Sequence, residues 1–203
     1  MKKRSFFTIV ILISFILLGI YKETDFINNI DRGILSSIQG IFSSKLILPD
    51  LITSIGNPAT YFILTPIFLI IFMRKEDRRG AKTILISVLI STILMLSFKN
   101  IFKLERPIDF MRIDQNGYTY PSGHALVSSG VYFTIYRIRK FKKPYKYFFL
   151  LPILIGLTRL ILGVHYPSDV LMGILLGLVV SSWSIYYYEE NFSISKITFS
   201  KQK

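Results

Sequence analysis

The sequence predicts an all-α membrane protein, a bundle of six transmembrane helices in a single domain covering residues 1–203. Three observations carry this prediction: 51% of the 203 residues are apolar with a mean hydropathy of +0.48, the net charge is +13, and the charges lie between long uncharged runs. A soluble domain with this net charge would be destabilised by repulsion between its like charges, and one this apolar would expose a large apolar surface unless lipid covered it. The composition therefore argues against an ordinary soluble enzyme.

The six uncharged runs are the candidate spans, because a spanning helix needs about 20 mostly apolar residues. They cover residues 5–21, 51–73, 83–98, 115–136, 147–158 and 170–188. The fifth run reaches spanning length only by continuing through Arg159 to residue 163, and the fourth contains His124. Ionisable groups at membrane depth face the bundle interior or water, so they are functional candidates.

The first run follows three basic residues and also resembles a signal peptide. No small-residue cleavage site follows Leu18, so we expect a retained helix. Between the first two runs, apolar residues recur at steps of three and four: Phe26, Ile27, Ile30, Ile34, Ile38 and Ile41. This pattern predicts an amphipathic helix along the outer membrane interface. A connector packed on the bundle fits the pattern equally well.

The basic residues indicate the orientation of the chain. Cytoplasmic loops are enriched in lysine and arginine. The N-terminus, residues 74–82, residues 137–146 and the tail after Tyr188 together hold 17 basic and four acidic residues. This face carries the whole net charge, so we expect it and both termini to be cytoplasmic. Short basic clusters between apolar spans do not form the basic face of a nucleic-acid-binding protein, so we expect no nucleic-acid partner.

The absence of cysteine removes several kinds of site. With no cysteine and only two histidines, the chain has no disulfide, thiolate nucleophile or sulfur-ligated zinc, and a multi-histidine metal centre is disfavoured. We expect neither a metal nor a cofactor.

Three clusters of polar residues lie on the predicted outer face. In the first, Lys99 and Arg106 are seven residues apart, so a helix continuing through both would place them on one face, with Pro107 ending it. Both side chains would then point into one pocket. Cations that mark a membrane boundary are the alternative.

The second cluster is Pro121-Ser122-Gly123-His124, directly before an apolar run. Ser122 suits a helix N-cap, and Gly123 lets the backbone approach a ligand. The unpaired N–H groups and the dipole of a helix start favour an anion. An ordinary turn is the alternative.

The third cluster contains Arg159, His165 and Asp169. Pro167 suits the first residue of the last helix, which places Asp169 in its first turn and His165 just outside. A carboxylate bonded to Nδ1–H would fix the imidazole tautomer and leave Nε2 free as a nucleophile or base. The alternative is an aspartate that complements the helix dipole beside a packed histidine.

Together the clusters contain three cationic side chains, a helix start and a histidine oriented by a carboxylate. This combination suits the binding and transfer of a phosphoryl group. They resemble the signature of the type 2 phosphatidic acid phosphatase (PAP2) superfamily: a lysine, six residues and Arg-Pro; then Pro-Ser-Gly-His; then Ser-Arg, five residues, His, three residues and Asp. The chain departs from it once, with Thr158 in place of the serine.

The resemblance implies a role for each matching residue. His165 would attack phosphorus and form a phosphohistidine, with Asp169 orienting it. His124 would protonate the leaving group and then activate water. The phosphoryl oxygens would be bound by Lys99, Arg106, Ser122, Gly123 and Arg159.

The sequence therefore predicts a metal-independent lipid phosphatase whose site faces outward. Its substrate would be a phosphate monoester or diphosphate of a lipid, such as undecaprenyl diphosphate, phosphatidylglycerophosphate or phosphatidic acid. Among these we favour the undecaprenyl carrier. A phosphotransferase of the same superfamily and a non-enzymatic lipid-binding or transport protein are the alternatives. Six apolar spans disfavour a soluble haloperoxidase.

Overall fold

The computed structural model describes residues 2–42, 47–74, 77–139 and 145–200, and within these ranges the chain forms helices and no β-strand. The α-helices there, numbered in chain order, are α1 (Lys2–Tyr21), α2 (Asp25–Ile41), α3 (Ile47–Gly56), α4 (Tyr61–Arg74), α5 (Arg78–Phe102), α6 (Gly123–Arg139), α7 (Leu151–Ile161) and α8 (Pro167–Ser200). Short 3₁₀ helices cover Pro58–Thr60, Ile108–Phe110 and Tyr145–Phe149. The all-α prediction is confirmed.

Several helices have the length and composition of a membrane span. Among the described residues these are Arg4–Tyr21 in α1, the whole of α5, and Pro167–Glu189 in α8, with Tyr147–Ile161 as a shorter apolar stretch that includes α7. Such helices mark the chain as a membrane protein. The count of six spans stays a prediction.

The second apolar run forms two helices where the sequence predicts one. After α3 ends, the Asn57 side chain accepts a hydrogen bond from the N–H of Ala59 at 3.0 Å, and Pro58 begins a 3₁₀ turn. An asparagine that bonds the backbone two residues later, followed by proline, is a typical turn. The chain therefore turns here and continues as α4, and the turn forms part of the cavity described below.

Helix α5 ends earlier than the first cluster predicts. Lys103 adopts the left-handed conformation with φ 52°, and its N–H donates to the carbonyl of Lys99 at 3.0 Å, which closes the helix at Phe102. The prediction that the helix continues through Arg106 is wrong. Arg106 lies in a non-helical segment and reaches the site from there.

Helices α6 and α8 pack closely and position the site. A Cβ atom at Gly173 of α8 would lie 2.8 Å from the carbonyl oxygen of Ser122, so glycine permits this approach. The N–H of Ser122 donates to the carbonyl of Asp169 at 3.1 Å. This packing brings the first turns of the two helices, with His124 and Asp169, to the same end of the bundle.

Helix α2 covers the periodic segment between α1 and α3. It buries Asp31 and Leu35, and the Gln39 side chain donates to the carbonyl of Phe110 at 2.8 Å. Several of its apolar side chains remain exposed: Phe26, Ile30, Ile34 and Ile41. A helix with outward apolar side chains suits contact with lipid, and its place at the interface stays a prediction.

Candidate active site

The three clusters meet at one cavity of about 350 Å³. The end of α5, the loop before α6, the first turn of α6 and the turn before α8 surround it, and residues 57–59 complete its wall. Five of the predicted site residues line it: Lys99, Arg106, Gly123, His124 and His165. Segments that are distant in the sequence therefore face one small space.

The His165 imidazole lies in the turn between α7 and α8 and is buried. Its Nε2 is 3.3 Å from Nη1 of Arg106, and its Nδ1 is 3.0 Å from Oγ1 of Thr119. Because a guanidinium only donates, Nε2 accepts, and this assignment places the ring proton on Nδ1. Burial lowers the pKa of His165 well below its ordinary value, so the ring is neutral at pH 7.

Thr119 connects His165 to the carboxylate of Asp169. The Thr119 hydroxyl donates to Oδ2 of Asp169, so it accepts the Nδ1 proton of His165. The direct distance from Nδ1 to Oδ2 is 3.5 Å, which exceeds an ordinary hydrogen bond. The carboxylate predicted to steer His165 thus acts largely through a threonine hydroxyl.

Asp169 is fully buried in the first turn of α8, which begins at Pro167 as predicted. Its Oδ2 also accepts the N–H of Tyr166 at 2.8 Å, and its Oδ1 lies 2.9 Å from Nζ of Lys22. These contacts fix both oxygens. The carboxylate is held rigidly behind the imidazole.

Lys22 and Asp31 form a buried ion pair behind Asp169, with 2.8 Å between Nζ and Oδ2. Oδ1 of Asp31 accepts the N–H of Ser168 at 2.9 Å, which ties α2 to the start of α8. Although burial lowers it, attraction to Asp169 and Asp31 raises the pKa of Lys22 above its ordinary value. The ammonium is therefore charged at neutral pH and offsets the charge of Asp169.

The two cations that line the cavity donate to carbonyl groups of its wall. Lys99 Nζ donates to the carbonyl of Tyr118. Arg106 donates through Nε to Gly117 at 2.8 Å and through Nη1 to Val164 at 2.6 Å. Burial lowers the pKa of Arg106 to about 10, which leaves it charged at neutral pH. A phosphoryl group would compete with these carbonyls.

The start of α6 opens onto the cavity. A Cβ atom at Gly123 would lie 2.4 Å from Sδ of Met95 and 3.7 Å from Cε of Lys99, so glycine keeps this approach open. N–H groups in the first helical turn have no intrahelical acceptor and, with the dipole, suit an anion. The Ser122 hydroxyl is buried without a hydrogen-bond partner among the described residues, so it does not make the predicted side-chain cap.

Arg159 is almost fully buried beside the cavity rather than on its wall. Its Nη1 donates to the hydroxyl of Thr53 and its Nη2 to Oε1 of Gln115, both at 2.8 Å. Gln115 itself lines the cavity. The neighbouring Thr158 hydroxyl donates to the carbonyl of Ile155 within α7 at 2.7 Å, so the one departure from the signature does not reach the cavity.

Comparison with known proteins assigns the family. The sequence profile of the PAP2 superfamily matches residues 80–193, a range that holds all three clusters. The chain belongs to the PAP2 superfamily. An undecaprenyl-diphosphatase from Sulfolobus acidocaldarius is 30% identical over 134 residues, which are 61% of this chain and 63% of that protein. The match thus spans less than two thirds of this relative.

Two solved PAP2 structures share the fold. The transmembrane PAP2-type phosphatidylglycerolphosphate phosphatase from Bacillus subtilis superposes with a TM-score of 0.77 at 22% identity, covering 90% of this chain and 96% of that one. Aquifex aeolicus LpxE superposes with a TM-score of 0.65 at 24% identity, covering 78% of this chain and 96% of that one. At such low identity the two likenesses establish the architecture.

Three residues near the cavity were not predicted from the sequence: Lys22, Asp31 and Thr119. Thr119 lies two residues before the Pro-Ser-Gly-His motif, so its nearness to His124 in the sequence was a usable signal. Lys22 and Asp31 fall outside the range that the PAP2 profile matches. Each is one charge among several in the polar segment that follows the first apolar run, and only tertiary structure brings them to Asp169.

Proposed function

We propose that this chain is a metal-independent lipid phosphatase that acts through a phosphohistidine at His165. The observation that carries the proposal is the state of that imidazole: Nδ1 is bonded through Thr119 to Asp169, and the unprotonated Nε2 is held at a cavity lined by two cations. A buried, neutral and oriented imidazole at an anion-binding cavity suits nucleophilic attack on phosphorus.

The reaction has two balanced steps. In the first, the Nε2 lone pair of His165 bonds to phosphorus while the bond to the leaving oxygen breaks, and His124 gives that oxygen a proton. In the second, His124 takes a proton from water, the water oxygen bonds to phosphorus, and the bond from Nε2 to phosphorus breaks. Inorganic phosphate leaves, and both histidines return to their starting states.

The phosphoryl oxygens would be held by Lys99, Arg106 and the N–H of Gly123, which line the cavity. Ser122 and Arg159 lie behind its wall and would have to turn towards it as substrate binds. Arg106 must change its contacts the most when substrate binds, because its Nη1 contacts the proposed nucleophile, Nε2 of His165. In our proposal the guanidinium moves from this nitrogen to the phosphoryl oxygens as substrate binds, which exposes the nucleophile at the moment it is needed. Cations placed in this way offset the charge that develops during phosphoryl transfer. The described residues contain no cluster of three or more metal-ligating side chains of the His, Cys, Asp or Glu type.

A lipid phosphate is the substrate class that best suits this chain. The apolar helices place the cavity in a membrane protein, where an enzyme can take a headgroup without extracting the tail. The names of the relatives, an undecaprenyl-diphosphatase and a phosphatidylglycerolphosphate phosphatase, support lipid mono- or diphosphates. The positive charge at the opposite end supports an outward-facing site with cytoplasmic termini, and an outward site favours the undecaprenyl carrier.

The test is phosphate release by the purified full-length protein in detergent with chelator present. Wild type should release phosphate from several lipid phosphates and be inhibited by vanadate, whereas His165→Ala should show only background release. Lys103→Met, which changes an exposed cation near the site, is the matched control and should behave as wild type. Equal release by wild type and His165→Ala would overturn the nucleophile.

The same assay separates the alternatives. Release of the alcohol without free phosphate, together with a phosphorylated acceptor, would identify a phosphotransferase. Binding of lipid phosphates with no turnover in any substrate would favour a non-enzymatic lipid-binding or transport protein.

A further inference from the structure

A second cationic cleft lies far from the catalytic cavity. It has a volume of about 210 Å³ and is formed by α1, α6 and α8, with Arg4 and Arg137 among its lining residues. Arg137 is 13 residues beyond His124 in α6, so the cleft lies about 20 Å away along the helix axis. This is the end of the bundle that we expect to be cytoplasmic.

The two guanidinium groups hold positive charge in the cleft. Nη1 of Arg137 donates to the Ser182 hydroxyl at 2.7 Å, and the Arg4 guanidinium lies 4.8 Å from the centre of the Tyr186 ring. Nη1 of Arg4 is buried and has no hydrogen-bond partner in the described part of the chain. Neither arginine forms an ion pair with a carboxylate among the described residues. Glu189 attracts Arg137 but does not line the cleft.

This arrangement favours the binding of an anion in the cleft. Two like charges in a shared cleft repel, and a buried N–H without an acceptor costs free energy. An anion with several oxygens would relieve both costs, and arginine binds phosphate oxygens in a two-pronged manner.

Apart from Thr8 and Ser182, the residues that line the rest of the cleft are apolar, and this favours an anion that carries an apolar body. Phe7, Leu178 and Val179 line it beside the arginines. Close by, the indole N–H of Trp183 donates to the Thr8 hydroxyl at 3.0 Å. Tryptophan and tyrosine are enriched where lipid headgroups meet the hydrocarbon. A ligand with a phosphate at one end and an apolar body at the other fits such walls, whereas a free inorganic ion would use only the arginines.

We propose that this cleft binds the headgroup phosphate of an anionic phospholipid, with Arg4 and Arg137 on the phosphate and the acyl chains passing over Phe7 and Leu178. The bound lipid would connect α1 to α6 and α8 at the end opposite the catalytic cavity. It is a resident lipid rather than a substrate, because no histidine lines the cleft. The proposal does not depend on the phosphatase activity.

The test is native mass spectrometry of the delipidated full-length protein titrated with phosphatidylglycerol or with phosphatidylcholine of the same acyl chains. Wild type should bind phosphatidylglycerol about thirtyfold more tightly, which corresponds to about 2 kcal/mol for two arginines near an anionic headgroup. The double variant Arg4→Gln/Arg137→Gln should bind the two lipids equally. Arg78→Gln, which removes an exposed cation at the start of α5 outside the cleft, is the matched control and should bind as wild type.

Two further measurements identify the source of the phosphate and provide a second variant in case the double variant does not fold. Inorganic phosphate at millimolar concentration should not displace phosphatidylglycerol; displacement would show a simple anion site and overturn the lipid assignment. Should the double variant fail to fold, Arg137→Lys keeps the charge but loses the two-pronged contact, and its preference should fall about threefold. Equal lipid preference in wild type and in the folded variants would overturn the site.

Discussion

Nζ of Lys22 lies 2.9 Å from Oδ1 of Asp169, and both groups are buried. The other oxygen of this carboxylate accepts the Thr119 hydroxyl, which in turn faces Nδ1 of His165. A lysine just beyond α1 is therefore three contacts away from the Nδ1 atom of the imidazole whose Nε2 we propose as the nucleophile. Its charge offsets that of Asp169 and so sets how strongly the carboxylate attracts a proton to His165.

Removing the charge of Lys22 should change both stability and pH dependence. In Lys22→Met the carboxylates of Asp31 and Asp169 stay buried without their cation, which should cost about 3 to 5 kcal/mol of unfolding free energy. The uncompensated Asp169 should attract a proton to His165 more strongly, so the acid limb of the rate profile should move to higher pH. Thermal unfolding and kcat/KM against pH measure the two effects.

Two controls separate this role from a merely structural one. Lys22→Arg keeps the charge, so its acid limb should lie close to that of wild type even if the changed shape lowers stability. Lys103→Met removes an exposed cation and should change neither quantity. A destabilised Lys22→Met protein with an unshifted acid limb would contradict the electrostatic role.

The Thr119 hydroxyl should matter for the chemical step more than for binding. Thr119→Val keeps the shape but removes the acceptor for Nδ1–H and the donor to Asp169. The loss of about 1 to 3 kcal/mol corresponds to a fall in kcat of roughly fivefold to 150-fold. KM should change little, because the hydroxyl points away from the cavity towards Asp169. Steady-state kinetics check both values.

Thr119→Ser is the matched variant and should restore most of the activity, since it returns the hydroxyl at the same position. If valine and serine lowered kcat equally, the loss would come from packing, and the proposed connection between His165 and Asp169 would be wrong.

The sequence predicted much of this site because its signals are local. Pro167 starts α8, and the glycine and histidine of the second cluster begin α6 at the cavity, which required only helix-start rules. The length of α5 was predicted wrongly because the left-handed turn at Lys103 has no glycine or asparagine to reveal it. Arg106 still reaches the cavity, since its loop folds back over the end of α5.

The remaining features depend on tertiary packing. Lys22 and Asp31 are ordinary surface charges in the sequence, and they are buried only because α2 packs against the start of α8. Similarly, Arg159 was expected to contact the phosphoryl group, whereas the structure bonds it to Thr53 and Gln115. Side-chain partners of this kind have no spacing rule that a single sequence reveals.

The rate should follow a bell-shaped curve against pH. The nucleophile is neutral His165, whose pKa burial lowers, so activity should persist as pH falls through about 6.5 and disappear only at lower pH. Asp169 opposes this shift by attraction, whereas Arg106 and Lys99 add to it by repulsion, and His124 shares the same cavity. The alkaline limb would report loss of the proton that His124 gives to the leaving group, and it belongs to the substrate complex, where the negative phosphate stabilises the imidazolium against the neighbouring cations.

This prediction is measured on a short-chain lipid phosphate from about pH 4 to about pH 10, as kcat/KM for the acid limb and as kcat at saturating substrate for the alkaline limb. Protein recovered from each extreme should regain full activity at neutral pH, which excludes unfolding as the cause of either limb. A flat profile through the histidine range would contradict both assigned roles.

His124 can be tested through the leaving group. An alkoxide needs a proton as it departs, whereas a nitrophenolate leaves readily without one, so a variant lacking the acid should still transfer the phosphoryl group from an aryl phosphate to His165. In His124→Gln, turnover of an alkyl lipid phosphate should fall by about a hundredfold to ten-thousandfold. With nitrophenyl phosphate the first turnover should remain fast, giving a burst of nitrophenol equal to the enzyme present. Phosphate release should then be slow, because the same histidine activates the water.

His165→Ala is the control and should show no burst with either substrate. A His124→Gln protein that loses the burst as completely as it loses lipid turnover would contradict the assignment of His124 as the general acid.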